Sequence, residues 1–435
     1  MTEINDQHRK EQIIKCLSDY KESKQTKTLT LPYKDRERTF EVIRIDPKVL
    51  LLNPHNSRLS AQLEDHPQRA IVEDDSRSEA AQEILSNLLS STPEFQELKG
   101  QLKELGQREP GLISRSGLLI NGNTRVVALR ELGASGVDVA VLPDDANDLV
   151  FLDLEMSLQM TQLTHQDYTF TNKLLLMQKY KQTLNNDKQL ALKMGWLKNG
   201  LKRVSENFQY LGLINEIRSL TSPPVRYEEF DTKMQHIKDL IDSYEILKTR
   251  NPKEADALKW TRISAMFLGI NKDQTRAIEE DFLDEDIMKQ LDSDSETKKL
   301  LDGLKKIDVD DGLDDILGDT GNDREKIDAR SLVKKVITKL ISADGFIEKD
   351  LPQDLEGLHK AYRLGTEAII NKSKREHYMV TPIDRLVEAR ELIEFIVERF
   401  HEVKIQKDFD LTKFQYQLKK LRKTLDDLAD EVNKR

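Results

Sequence analysis

At 435 residues the chain is longer than one ordinary domain, so two to four are expected. Hydrophobic residues make up 37% and charged residues 34%, which implies small cores with much exposed helix, and no apolar run approaches the roughly 20 residues of a membrane span. The polar N-terminus excludes a secretion signal, and the single cysteine, Cys16, excludes an internal disulfide framework or a cysteine-built zinc site, so a reducing cytoplasm is expected. A net charge of −10 argues against a nucleic-acid binder until its distribution is followed: residues 279–323 hold 17 acidic and 5 basic side chains, which leaves the rest close to neutral.

In chain order, a charged helix is expected around Ile13, Ile14 and Leu17. Thr28-Leu29-Thr30-Leu31 and Phe40-Glu41-Val42-Ile43-Arg44-Ile45 alternate with period two around a polar centre, which predicts a β-hairpin. Asp46-Pro47 ends the second strand, and Asn53-Pro54-His55-Asn56-Ser57-Arg58 leads into a polar, mobile segment to about Ser78. Helices are expected over 80–89 and 93–105, the second with Pro93 in its first turn. Gly106-Gln107-Arg108-Glu109-Pro110 follows, and residues 137–143 supply a further strand.

Between them lies the stretch around which the first 150 residues are organised. Leu118-Leu119-Ile120-Asn121 reads as a short strand, Gly122 as a tight turn, and Asn123-Thr124-Arg125 as the start of an amphipathic helix stopped by Gly133. Such a turn presents unpaired backbone N–H groups beside Arg125, which suits a phosphate. The alternative is a plain turn with a solvated arginine.

From Asn147 onward the pattern is helical. Over 187–207, Leu190, Ala191 and Met194 form one apolar face, Gly195 breaks the helix, and Leu201 and Val204 begin a second face, the spacing of a helix-turn-helix. A generic helical hairpin could show the same positions, but Lys188, Lys193, Lys198, Lys202 and Arg203 outnumber Asp187 and Glu206 here. The second helix would offer Lys198, Asn199, Lys202, Arg203 and Asn207 to a DNA groove. Further helices are expected to residue 278, followed by an acidic linker over 279–327. Within the linker, residues 308–319 lack the glycine and glutamate placement of a calcium loop. Near the C-terminus, Leu386, Ala389, Ile393, Ile396, Phe400 and Val403, and then Leu411, Phe414, Leu418, Leu421, Leu425, Leu428 and Val432, step by 3 and 4. These are two coiled-coil-like seams, free to close as a hairpin or to exchange with a second chain.

The order Asn-Pro-x-x-x-Arg, helix, Gly-Gln-x-x-Pro, strand-Gly-x-x-Arg-helix, a glutamate-bearing helix and then a helix-turn-helix resembles the ParB family of plasmid and chromosome partition proteins, over about residues 40–217. The resemblance implies an α+β N-terminal domain of ParB/sulfiredoxin type over 1–150 and a mostly α-helical remainder. Beyond residue 217 the resemblance gives nothing; helical pattern, charge and seam spacing by themselves divide the remainder into a DNA-binding domain over 151–278, the linker, and an association domain over 328–435. The resemblance also implies a loop for CTP or another nucleotide, in which Gly122 and Arg125 match the family's glycine and last arginine. Asn123 and Thr124 stand where the family has glutamate and arginine. Arg58 matches an arginine that cradles the nucleotide, and Glu155 is the nearest match to a glutamate linked to Mg²⁺ and hydrolysis. The partners implied are double-stranded DNA, a nucleotide and a second copy of the chain, with no membrane. Sulfiredoxin chemistry is excluded, because its loop needs a cysteine thiolate. Two other readings stay open. One is a nucleotide-hydrolysing enzyme, CTPase-like, or a nuclease on the same fold. The other is a non-catalytic adaptor in phage defence that recruits a protein through the acidic segment or the C-terminal helices.

Overall fold

The computed structural model describes residues 6–23, 27–34, 36–161, 168–279, 281–291, 295–307, 325–404 and 409–433. It divides into two compact units, 1–366 and 367–435, where the sequence suggested boundaries after 150, 278 and 327. Among the described residues no helix is long and apolar enough to cross a membrane.

Helix α1 (Asp6–Glu22) precedes the expected hairpin, β1 (Thr28–Tyr33) and β2 (Arg36–Ile45). The segment after it, expected to be mobile to Ser78, instead folds into α2 (Ser60–Glu64) and α3 (Arg69–Asp74), with Leu59, Ala61 and Val72 buried. Single helical turns carry too few apolar positions for a period to register in the sequence. Then come α4 (Glu79–Ser90), α5 (Phe95–Leu105), β3 (Gly111–Ile113), β4 (Leu119–Asn121), α6 (Asn123–Glu131) and β5 (Val137–Val141).

The strands form one mixed sheet in the order β1-β2-β5-β3-β4, antiparallel except for the β3–β5 pair. Alternation sends Ile43, Ile45, Val137 and Val139 to one face, where Ile13, Leu17, Leu85, Val126 and Leu129 from α1, α4 and α6 pack on them. Phe40, Val42, Ala140 and Leu142 point to the other face, covered by Val150, Leu154 and Leu158 of α7 (Asp148–Thr161). The opposite side of α7 gives Leu152 and Met156 to a second core. That core is shared with α8 (Phe170–Leu184), α9 (Asp187–Lys193) and α10 (Gly200–Arg218). A helix apolar on both sides is buried on both sides. Here α7 ties the sheet to the α8–α10 layer.

The first unit continues through α11 (Met234–Lys248), α12 (Pro252–Phe267), α13 (Lys272–Arg276), α14 (Glu296–Asp302), the two-stranded β6 (Lys305–Ile307) and β7 (Glu325–Ile327), and α15 (Ala329–Leu340). Much of the expected acidic linker is therefore folded: Phe282, Leu283, Ile287 and Leu301 are buried, and Phe282 meets Tyr362 edge-on at 5.3 Å. Among the described residues Glu279, Asp281, Glu285, Glu296 and Asp302 are exposed, Asp284 is half-buried and accepts the Ile327 N–H at 3.0 Å, and the apolar minority makes the core. The run 308–319 lies outside the described residues. Helix α16 (Gln353–Lys404) passes from the first unit into the second, which ends with α17 (Leu411–Val432).

Candidate functional site

Gly122 stands at the N-cap of α6 with φ 93° and ψ 15°, the left-handed region where a Cβ is strained. A Cβ there would also lie 3.2 Å from Gly111 Cα. Having no side chain, Gly122 leaves the first-turn N–H groups of Asn123, Thr124 and Arg125 open; helix geometry gives them no carbonyl of their own.

That turn forms one wall of a cavity of about 580 Å³, which brings together Arg58, Gly122, Asn123, Thr124, Arg125 and Glu155. The guanidinium of Arg125 is held from behind, Nη1 donating to Pro110 O at 3.3 Å and Nη2 to Glu109 Oε2 at 3.2 Å. Burial lowers its pKa from the ordinary arginine value, the charge of Glu109 opposes this, and the nearby Arg58 lowers it further. Two arginines thus line one hollow, Arg125 with Glu109 as its counter-charge at 3.2 Å.

Arg58 reaches the cavity because the Asn-Pro-x-x-x-Arg segment is a chain of side-chain turns. Asn53 Oδ1 accepts the N–H of His55, and Asn56 Oδ1 accepts that of Arg58. The side chain of Asn123 pins this segment, its Oδ1 accepting Asn53 N–H at 2.9 Å, while its Nδ2 donates to Leu119 O at 3.4 Å. Asn123 thus serves the loop with its side chain and can serve a ligand with its backbone.

Glu155, on α7, is 6% exposed. Its Oε1 accepts the Ser57 N–H at 2.9 Å and the Tyr168 hydroxyl at 3.2 Å. Burial raises its carboxyl above the ordinary glutamate range, against the opposing pull of Ser57 N–H and the charge of Lys179. Arg58 also lies over the Tyr168 ring at 5.8 Å. Among the described residues no cluster of three His, Cys, Asp or Glu is disposed to hold a metal ion. A magnesium ion carried by a nucleotide's phosphates needs only one or two protein carboxylates, and Glu155 and Glu109 are two of the four glutamates that line the cavity.

Glu94, Glu97, Gln101, Arg108 and Glu109 also line the cavity and were not singled out from the sequence. The signal was the Gly-Gln-x-x-Pro box. Gln107 donates to Asp138 O and accepts from Asp138 N–H, both at 2.8 Å. This double bond to β5 fixes the loop that carries Arg108 and Glu109.

The 187–207 segment forms α9, a turn and α10. Gly195 (φ 69°) ends α9 and Asn199 (φ 54°) caps α10. The close approach is made by Gly200, where a Cβ would come within 2.7 Å of Ala191 Cβ. Lys198, Asn199, Lys202 and Arg203 are exposed, and the half-buried Asn207 donates to Arg203 O at 2.7 Å. Leu201, expected on the apolar face, is instead 59% exposed, because α10 begins at Gly200 and Val204 makes the inward contact.

No family model matches the chain, and a comparison with curated proteins finds no match. Seven chains of solved structures resemble it in part, among them the following two. One is the C-terminally truncated chromosome-partitioning protein ParB from Caulobacter crescentus, complexed with CTP-γ-S. It shares 14% identity over 46% of this chain and 91% of that one, at a TM-score of 0.18. The other is a Pnob8-like ParB-N domain with 13% identity over 61% of this chain and 99% of that one, at a TM-score of 0.30. At those scores the reading of the cavity rests on its own residues.

Proposed function

We propose that the chain is a ParB-like DNA-binding protein of plasmid or chromosome partition, or of mobile-element maintenance, in which a nucleotide bound at the α6 turn regulates DNA binding by α9–α10. One observation carries the reading: two arginines distant in sequence, Arg58 and Arg125, line the same cavity as the open first turn of α6. Phosphate oxygens accept from that donor set, with Gly122 giving close backbone approach. The cavity volume suits a nucleotide. CTP, with Mg²⁺ held beside Glu155, is the nucleotide that the sequence resemblance favours.

Coupling to DNA has a physical route in α7. This helix places Glu155 in the cavity and Leu152 and Met156 in the core of α8–α10, and its Asp153 pairs with Lys193 of α9 at 2.6 Å. A ligand that moves Glu155 therefore shifts the floor on which α9 and α10 stand.

Thermal unfolding of the full chain with CTP, ATP or GTP plus Mg²⁺ tests the pocket. A ligand at 100 times its dissociation constant adds about 2.7 kcal/mol of stability. Stabilisation by one nucleotide triphosphate, lost in Arg125→Ala, is the expected result. No stabilisation by any of the three refutes the reading.

A further inference from the structure

Leu197, in the turn between α9 and α10, is 84% exposed, and Leu201, in the first turn of α10, is 59% exposed. Neither exposure follows from a loose turn. Trp196 N–H donates to Ala191 O at 2.9 Å, the Trp196 ring packs on the α7–α10 core, and Lys173 lies over it at 5.0 Å. Gly195 and Asn199 supply the two left-handed residues that bracket the turn. The backbone is fixed on both sides of Leu197, so the side chain is held outward.

Around these two leucines the exposed charges are cationic: Lys198, Lys202 and Arg203, with Lys188 on α9. The acidic neighbours are engaged within the fold, Glu206 with Lys202 at 3.6 Å and Asp187 with Lys181 at 3.1 Å. An apolar pair inside a basic rim fits a polyanion that itself carries small apolar groups. Duplex DNA is such a surface, because the thymine C5-methyl is the apolar group its major groove displays. We infer that Leu197 and Leu201 form an apolar subsite for thymine methyl groups, so that the lysines and Arg203 set affinity and the leucines set preference for A·T pairs. This rests on the reading of α9–α10 as the duplex-reading module.

The test uses the full chain and a duplex enriched from a random-sequence pool by repeated binding. That duplex is then resynthesised with deoxyuridine in place of thymidine, which removes the methyl groups and leaves charge and hydrogen-bonding edges intact. The parent protein is expected to bind the uracil duplex about tenfold more weakly, the loss that follows when two methyl groups give up an apolar contact. A Leu197→Ser/Leu201→Ser variant, altered only at exposed positions, is expected to bind the thymine duplex with that weaker affinity already and to lose discrimination between the two duplexes. Equal binding of both duplexes by the parent overturns the inference while leaving DNA binding in place. Loss of self-association in the variant, with discrimination retained, assigns the leucines to a second copy of the chain and also overturns it. Failure to bind any duplex at low salt is a failure of the DNA reading itself.

Discussion

Asp65 and Arg218 meet through two contacts, Oδ2 to Nη1 at 2.9 Å and Oδ1 to Nη2 at 2.7 Å, with side chains only 6% and 11% exposed. Asp65 follows α2, seven residues beyond Arg58, and Arg218 ends α10, the helix that presents Lys202 and Arg203. The pair therefore fastens the far end of α10 to the segment leading out of the cavity. Asp65 also accepts the Tyr227 N–H at 2.8 Å, and the guanidinium stacks on the Tyr227 ring at 3.6 Å. Removing one partner strands a buried charge, so Asp65→Ala is expected to lower stability by about 3–5 kcal/mol. Urea unfolding measures it; a loss below 1 kcal/mol would show that the pair is not a structural joint.

The cavity turn gives a second prediction. In Gly122→Ala the left-handed backbone costs about 1–2 kcal/mol, and the new methyl presses on Gly111 Cα. Arg125→Ala removes a guanidinium and leaves that backbone untouched. Gly122→Ala is expected to lower both stability and nucleotide affinity, and Arg125→Ala to lower affinity alone. Calorimetric titration with CTP and Mg²⁺ separates the two. Nucleotide affinity unchanged in both variants would remove the α6 turn from the site.

Glu155 carries a pH signature. Its carboxyl is raised by burial, so the folded state keeps a proton that the unfolded chain, titrating near about 4.3, gives up. Stability from this group is fully present below that unfolded value and is lost as pH rises through the folded value. Glu155→Gln keeps an oxygen for the Ser57 N–H and carries no charge to desolvate. The variant should melt at a higher temperature than the parent at neutral and alkaline pH, and the gap should close on acidification. A gap that is constant with pH would mean that Glu155 does not titrate as described.

Much of this arrangement was legible in the sequence because it repeats or punctuates. Period-two alternation revealed the hairpin, Gly122 the turn, and the 3-and-4 steps the terminal helices. What escaped detection depends on contacts between distant segments. Nothing in Glu109 taken alone says that it backs Arg125, since that follows from Gln107 bonding to Asp138 on a neighbouring strand. Likewise, Gly195 was legible as the break after α9, where it supplies the left-handed stop, but nothing in the sequence marked Gly200 as the residue that lets the two helices cross closely. The acidic stretch misled for a related reason, because a few buried residues such as Phe282 and Leu301 fold a segment whose composition is dominated by its solvated side.

The Ala191–Gly200 crossing makes a prediction in which two effects oppose each other. Alanine is favoured over glycine inside a helix by about 1 kcal/mol. Here, however, the added Cβ would lie 2.7 Å from a Cβ fixed on the facing helix, and such overpacking costs about 1–3 kcal/mol. Gly200→Ala should therefore destabilise the first unit and weaken DNA binding. The double variant Ala191→Gly/Gly200→Ala, which moves the methyl to the other helix, should recover much of both. A single variant that gains stability would show that the helices can part at no cost.

In the second unit, Leu418, Leu421, Leu425, Leu428 and Val432 of α17 are between 40% and 68% exposed, although their spacing is that of a coiled-coil seam. Phe400, Phe409 and Phe414 cluster with ring centroids 5.1–6.0 Å apart. This cluster joins the end of α16 to the start of α17, and none of the described residues of α17 is buried. A 22-residue helix is about 33 Å long, and an apolar stripe of that length exceeds what a soluble monomer ordinarily leaves in water. A second copy offering the same stripe would bury both. The full chain is expected to sediment as a dimer at micromolar concentration, and Leu421→Asp/Leu425→Asp, which puts two charges into the seam, as a monomer. Because these positions are already exposed in one chain, the variant should keep the helical content and thermal transition of the first unit. A parent chain that remains monomeric at tens of micromolar would leave the stripe without this partner.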